Sequence, residues 1–252
     1  MRQLFLCSLV LGYVLMSSCK KELSASGSPG VITIQFTSVA GIAPLTLNTT
    51  YTNTAGEQFN VTAFKYYISD IRLYGQNGSF QDVPGIYHLV DASDINSQSI
   101  SFPNSVDSLI AFSYLIGIDS ALNVNQSGSG DLAPSKGMWW SDSAGYIMAR
   151  LEGTSPASTG PANTFEYNIG GFSGPYNALR IVTLTLPGTP VTLNPVADSV
   201  YISIDADVDA WFAGPHSLPI SNSDTCLSPG LLASEYADNY ARMFTIRNVQ
   251  VK

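Results

Sequence analysis

Four groups of side chains in this 252-residue chain have the chemistry to hold a ligand. The run Asp205-Ala206-Asp207-Val208-Asp209 puts carboxylates at alternate positions. On an extended strand these project to one side, where hard oxygens can meet a calcium ion, and the same run reads equally as solvated acids at a strand end. Asp119, Asn123 and Asp131 offer a second such set, although we expect them to close turns through their side chains. The chain has only two histidines. His88 stands in the alternating run Ile86-Tyr87-His88-Leu89-Val90-Asp91, where a hydrogen-bonded histidine is the ordinary case. His216 follows Gly214-Pro215 in a long connection, a commoner setting for binding. Cys226 is a soft metal ligand, a reactive thiol or a small buried hydrophobe, and we expect the last.

Catalytic templates are missing. The chain has no Gly-x-Ser-x-Gly elbow, no Gly-x-x-x-x-Gly-Lys phosphate loop and no Cys-x-x-Cys pair. Neither histidine sits in a recognisable triad or zinc frame, so binding without turnover is expected rather than enzymatic activity.

The elements that must position these groups read as strands. Short β-branched and aromatic runs recur between Gly, Pro, Asn and Ser clusters, the pattern of an all-β antiparallel sandwich. Strands are expected at 31–39, 64–74, 86–90, 109–116, 145–151, 164–169, 179–186, 199–205 and 244–251. In the second of these, Phe64, Tyr66, Ile68 and Asp70 should share one face. Helical spacing is confined to Pro229 to Tyr240, with Ser228 as an expected cap, and to a turn at Ser120 to Asn123. Two long connections remain, Asn123 to Asp142 with Met138, Trp139 and Trp140, and Asp209 to Pro229 with Trp211, His216 and Cys226. Loops of that length in a compact domain usually serve function.

Composition narrows the partners. Lys and Arg number 11 against 19 Asp and Glu, a net charge of −8. No basic stripe exists to neutralise a phosphate backbone, so nucleic acid is not an expected partner, and a cationic ligand suits the balance better. At the start of the chain, Arg2, an apolar run from Leu4 to Met16 and then Ser17-Ser18-Cys19 form the pattern of a bacterial lipoprotein signal. Residues 1–18 are then expected to be removed, with Cys19 carrying lipid. Residues 19–30, containing Ser24-Ala25-Ser26-Gly27-Ser28-Pro29-Gly30, form a flexible tether, and 31–252 a single domain. Of three cysteines only Cys226 stays in that domain, which precludes a disulfide within it. The expected location is the cell envelope, anchored to the outer membrane on its periplasmic or surface face.

Several stretches carry a family likeness. They begin with Phe64-Lys65-Tyr66-Tyr67-Ile68-Ser69-Asp70-Ile71-Arg72-Leu73, Tyr87-His88-Leu89-Val90-Asp91 and Ile116-Gly117-Ile118-Asp119-Ser120-Ala121-Leu122-Asn123. The strongest is Gly130-Asp131-Leu132-Ala133-Pro134-Ser135-Lys136-Gly137-Met138-Trp139-Trp140, followed by Gly145-Tyr146-Ile147, Leu151-Glu152-Gly153, Tyr167-Asn168-Ile169-Gly170-Gly171 and Tyr236-Ala237-Asp238-Asn239-Tyr240-Ala241-Arg242-Met243-Phe244. In order and over the whole mature domain, they resemble the MbnP-like copper-binding family. The resemblance implies an extracytoplasmic all-β domain with copper on histidine imidazoles and, in some members, on a tryptophan oxidised to kynurenine by a di-haem peroxidase-like partner. It makes Trp139 and Trp140 the candidates for that oxidation. The sequence departs from the family at Asn168, a neutral amide where an imidazole is expected. A copper site would then have to recruit His88 or His216, helped by Met138 or Cys226, and sulfur would favour Cu(I).

Overall fold

A computed structural model describes residues 30–104, 106–123, 128–141, 143–188, 190–194 and 198–252. The expected signal segment, Cys19 and nearly all of the tether lie outside the described residues. Two sheets face each other. In the smaller, Phe244–Val251, Val200–Asp207, Val31–Ala40 and Ala43–Pro44 lie in that order, and Ser99–Pro103 also pairs with Val31–Ala40. In the larger the order is Arg180–Thr185, Ala111–Ile116, Gln58–Tyr74, Gly145–Thr154, Thr164–Gly170 and Thr225–Cys226. Thr50–Thr52 and Phe80–Asp91 pair with Gln58–Tyr74, and Trp139–Ser141 with Gly145–Thr154.

The nine expected strands are all present, and the fold is all-β with short helices. Strict alternation explains the smaller sheet: Ile32, Ile34 and Phe36 are buried on one side of Val31–Ala40 while Val31, Thr33 and Gln35 face outward. Most ladders are antiparallel, but Val31–Ala40 and Val200–Asp207 run parallel, as do Glu166–Tyr167 and Thr225–Cys226. Aromatic rings knit the two sheets. Phe36 meets Tyr66 and Tyr114 edge-on at 6.0 and 6.1 Å, and Phe244 lies 5.4 Å from Tyr66 and 5.3 Å from Tyr114.

Two local expectations need correction. The alternation along Gln58–Tyr74 breaks at Asp70, which takes a left-handed φ of 48° and is exposed, while Ile71 is buried. The register shifts there against both neighbouring strands, so Asp70 is a bulge rather than the fourth member of the Phe64 face. The helix spans Leu231–Tyr240, with Gly230 before it and no side-chain cap, so Ser228 does not cap it. It buries Ala233, Tyr236, Ala237 and Tyr240 against the core. Among the described residues no helix is long and apolar enough to cross a membrane.

Candidate functional site

The connection that carries Trp139 and Trp140 is bound to the larger sheet chiefly through its own carbonyls. Tyr67 donates its hydroxyl to Asp131 O at 2.9 Å, Tyr146 to Leu132 O at 3.1 Å, and Lys65 its ammonium to Lys136 O at 3.4 Å. Arg150 Nη1 donates to Gly137 O at 3.0 Å. The segment advances by two short 3-10 turns, Gly130–Leu132 and Pro134–Lys136. Gly137 ends the second at φ 74°, a conformation a residue with a Cβ rarely adopts. Ile147 then donates to Met138 O, and Trp139–Ser141 pairs with the start of Gly145–Thr154. Met138 is driven into the core, and Trp139 packs edge-on against Tyr146 at 4.6 Å.

Trp140 reaches the Tyr167-Asn168-Ile169-Gly170-Gly171 strand. A Cβ at Gly170 would stand 2.5 Å from Trp140 Cζ3, so glycine is what lets the indole lie there. Asn168 shares the face of Gly170 by the two-residue strand period. It is 6% exposed, and its Nδ2 donates to Glu166 Oε1 at 2.7 Å. That bond orients the amide and leaves Asn168 Oδ1 buried with no hydrogen-bond partner. Across the ladder Asn168 opposes Arg150, whose guanidinium is paired with Glu152. The tryptophan segment and the asparagine strand are therefore brought together, and a buried acceptor is left open beside them.

The other sulfur and imidazole candidates do not join this place. His88 Nε2 donates to Ser97 O at 2.7 Å, and Nδ1 lies 3.2 Å from Asp131 Oδ2, which also accepts from Leu89 N. Both ring nitrogens face acceptors, which spends the imidazole on hydrogen bonding. His216 belongs to the other long connection. Its Nε2 is 3.1 Å from Asp238 Oδ2 and its Nδ1 4.0 Å from Glu235 Oε1, both on the Leu231–Tyr240 helix. Its backbone is clasped by Asn239, which accepts from His216 N and donates to His216 O. Cys226 pairs with Tyr167, one residue from Asn168 and so on the opposite face, and burial pushes its thiol up to about 11. Burial thus disfavours the thiolate, and Cys226 sits as the small buried hydrophobe expected.

The acidic sets are also accounted for. Asp205 pairs with Arg247. Asp207 accepts from Gly41 N at 2.8 Å and Asp209 N at 3.0 Å, and Asp209 accepts from Thr54 N at 3.1 Å. The three carboxylates are thus engaged separately, contrary to the convergence that calcium would need. Asp119 and Asn123 close turns as expected: Asp119 accepts from Ala121 N and Leu122 N, and Asn123 Nδ2 donates to Ile118 O at 2.5 Å and Asp119 O at 3.0 Å, while its Oδ1 accepts from Tyr146 N. The Asp131 carboxylate instead accepts from Leu89 N, 42 residues back, so it ties its segment to the larger sheet rather than closing a turn. Among the described residues no group of three or more His, Cys, Asp or Glu side chains is arranged to hold a metal ion. Two separated imidazoles, an amide and a buried thiol do not fit copper coordination by clustered imidazoles.

One structural anchor leaves no pattern in the sequence. Glu57 reaches into the second connection, where Ile220 N and Ser221 N donate to it at 2.7 and 2.9 Å, and Asn53 Nδ2 adds a third bond. No periodicity in the sequence links residue 57 to residue 220.

No curated protein matches the chain. Among solved structures it is similar to MbnP from Methylosinus trichosporium, at 12% identity and a TM-score of 0.56, over 87% of this chain and 98% of that one. At that identity the likeness is one of fold. The MbnP family model matches residues 29–228, from the start of the first sheet through the Trp139-Trp140 segment, the Asn168 strand and the second connection. The chain belongs to the MbnP family.

Proposed function

We propose that this chain is a lipid-anchored, extracytoplasmic MbnP-family protein that acts by stoichiometric binding without turnover, and that it has lost the imidazole copper site its family resemblance implies. The anchor and the envelope location rest on the Leu4 to Met16 run and Ser17-Ser18-Cys19. The carrying observation is Asn168: an amide occupies the motif position where an imidazole is expected, and its Oδ1 is buried without a partner. A carboxamide oxygen is a hard donor that copper takes poorly, and neither His88 nor His216 has been relocated to compensate.

A second reading is copper sequestration or delivery through a retooled site, with a di-haem peroxidase-like partner acting on Trp139 or Trp140. The observation in its favour is that Trp140 lies on Gly170, beside Asn168. A mass spectrum of the peptide Gly137 to Arg150, from protein made in its native host, tests the choice. Two intact tryptophans support the first reading. Kynurenine at Trp139 or Trp140 overturns it in favour of the second.

A further inference from the structure

A cleft of about 520 Å³ opens on the larger sheet at the Asp70 bulge, and none of the residues weighed above for copper lines it. Its size falls in the range of small-ligand sites, about 300–1,000 Å³. One wall is apolar, formed by Leu115, Val83, Pro84 and Ile181, and Ile181 is 73% exposed on the edge strand Arg180–Thr185. The rest of the lining carries charge, most of it already paired. Arg72 donates to both carboxylate oxygens of Asp82, at 2.5 and 3.1 Å, and its guanidinium lies 4.4 Å over the Phe80 ring. Nearby Asp119 accepts from Tyr87 Oη at 2.7 Å and from two backbone amides.

Asp70 differs from these. Among the described residues its carboxylate has no hydrogen bond or ion pair, although it lines the cleft. Although Asp70 stays open to solvent, partial desolvation of its carboxyl, and after it the negative charges of Asp119 and Asp82, push the group up. A cation arriving there would relieve both effects. An anion would meet an uncompensated carboxylate and an arginine already committed to Asp82.

We propose that this cleft binds a small organic ammonium ion, with the ammonium on Asp70 and the apolar body against Leu115, Val83 and Ile181. Charge selects the head group and the exposed isoleucine the body, so a neutral ligand of the same shape is rejected. The site stands apart from the copper question and holds whichever reading of the family site is correct.

The test titrates phenethylammonium chloride into the isotopically labelled full chain and follows amide shifts, with 2-phenylethanol as the neutral counterpart. Saturable shifts at Asp70, Leu115 and Ile181 are expected for the amine and none for the alcohol. Asp70→Asn should weaken binding by about tenfold or more, because it removes a charge-assisted contact. Asparagine accepts a left-handed φ, so this variant keeps the bulge. Ile181→Thr, at an exposed position, should weaken binding by a few-fold and decides the matter if Asp70→Asn does not fold. No saturable shift at millimolar amine, equal binding of amine and alcohol, or binding indifferent to both substitutions would overturn the proposal.

Discussion

The first long connection brings a carboxylate, Asp131, to His88, and the second brings its own His216 to Asp238, yet they hold their tryptophans in opposite ways. The first lies on the larger sheet and gives its carbonyls to Tyr67, Tyr146, Lys65 and Arg150, leaving Trp139 and Trp140 half-buried. The second sinks Trp211 completely into the core, against Tyr240 at 5.2 Å and Tyr236 at 6.1 Å. Asn239 fastens the second from within, donating to the carbonyls of Trp211 and His216. One connection presents aromatic surface and the other serves as a keystone, so substitutions in the two should separate local change from global unfolding.

The largest effect is expected in the keystone. Trp211→Ala should cost about 3–5 kcal/mol in urea-induced unfolding, since it leaves a large cavity among packed rings. A cost no larger than that of a surface substitution would mean the second connection is not structural. On the presenting side, Gly170→Ala should cost about 1–3 kcal/mol by driving a methyl into Trp140. It should also change the tryptophan fluorescence of the folded protein, and unchanged emission would show that the indole does not rest on that glycine.

Two carboxylates sharpen the contrast through pH. Burial pushes the Glu57 carboxyl up, but the hydrogen bonds from Ser221, Asn53 and Ile220 outweigh it and hold the group below its usual 4.5. Its folded-state affinity for protons is thus lower than in the unfolded chain. The stability it contributes is present above about pH 4.5 and is lost as pH falls through the lower folded value. Thermal melts of Glu57→Gln should show a shallower acid limb than the parent protein. Asp207 behaves in the reverse sense: burial first of all, with the Asp205 charge adding to it, raises its carboxyl despite bonds from Asp209 N and Gly41 N. Its ionisation therefore costs stability as pH rises through the usual carboxylate range. Asp207→Asn keeps an acceptor at the cap of the turn Val208–Trp211 and removes that cost, so a neutral or slightly stabilising effect is expected at pH 7. This is the smallest effect of the set, and a clear loss of melting temperature would contradict it.

Much of the fold could be read from the chain because alternation reports which side of a strand is buried. Val31 to Val39 shows this, and the helical turn at Ser120–Asn123 also stands where its sequence places it. Alternation does not name a strand's neighbour, so the parallel pairing of Val31–Ala40 with Val200–Asp207 was hidden. The strand Ser99–Pro103 was too short and too rich in serine to stand out. The bulge at Asp70 was invisible for another reason: Phe64, Tyr66 and Ile68 set a period of two that one left-handed residue interrupts. Of the candidate site, the approach of Trp140 to the Asn168 strand depends on a tertiary contact over a glycine, and residue types alone carry no trace of it. Glu57 at Ile220 and Ser221 is a contact of the same long-range kind.

The most direct test of the central claim is a competition titration of the protein with Cu(I) and Cu(II), run beside His88→Ala and His216→Ala. We predict weak binding that neither substitution alters. One equivalent of tightly held copper, lost in either variant, would contradict the account and restore an imidazole site to this chain.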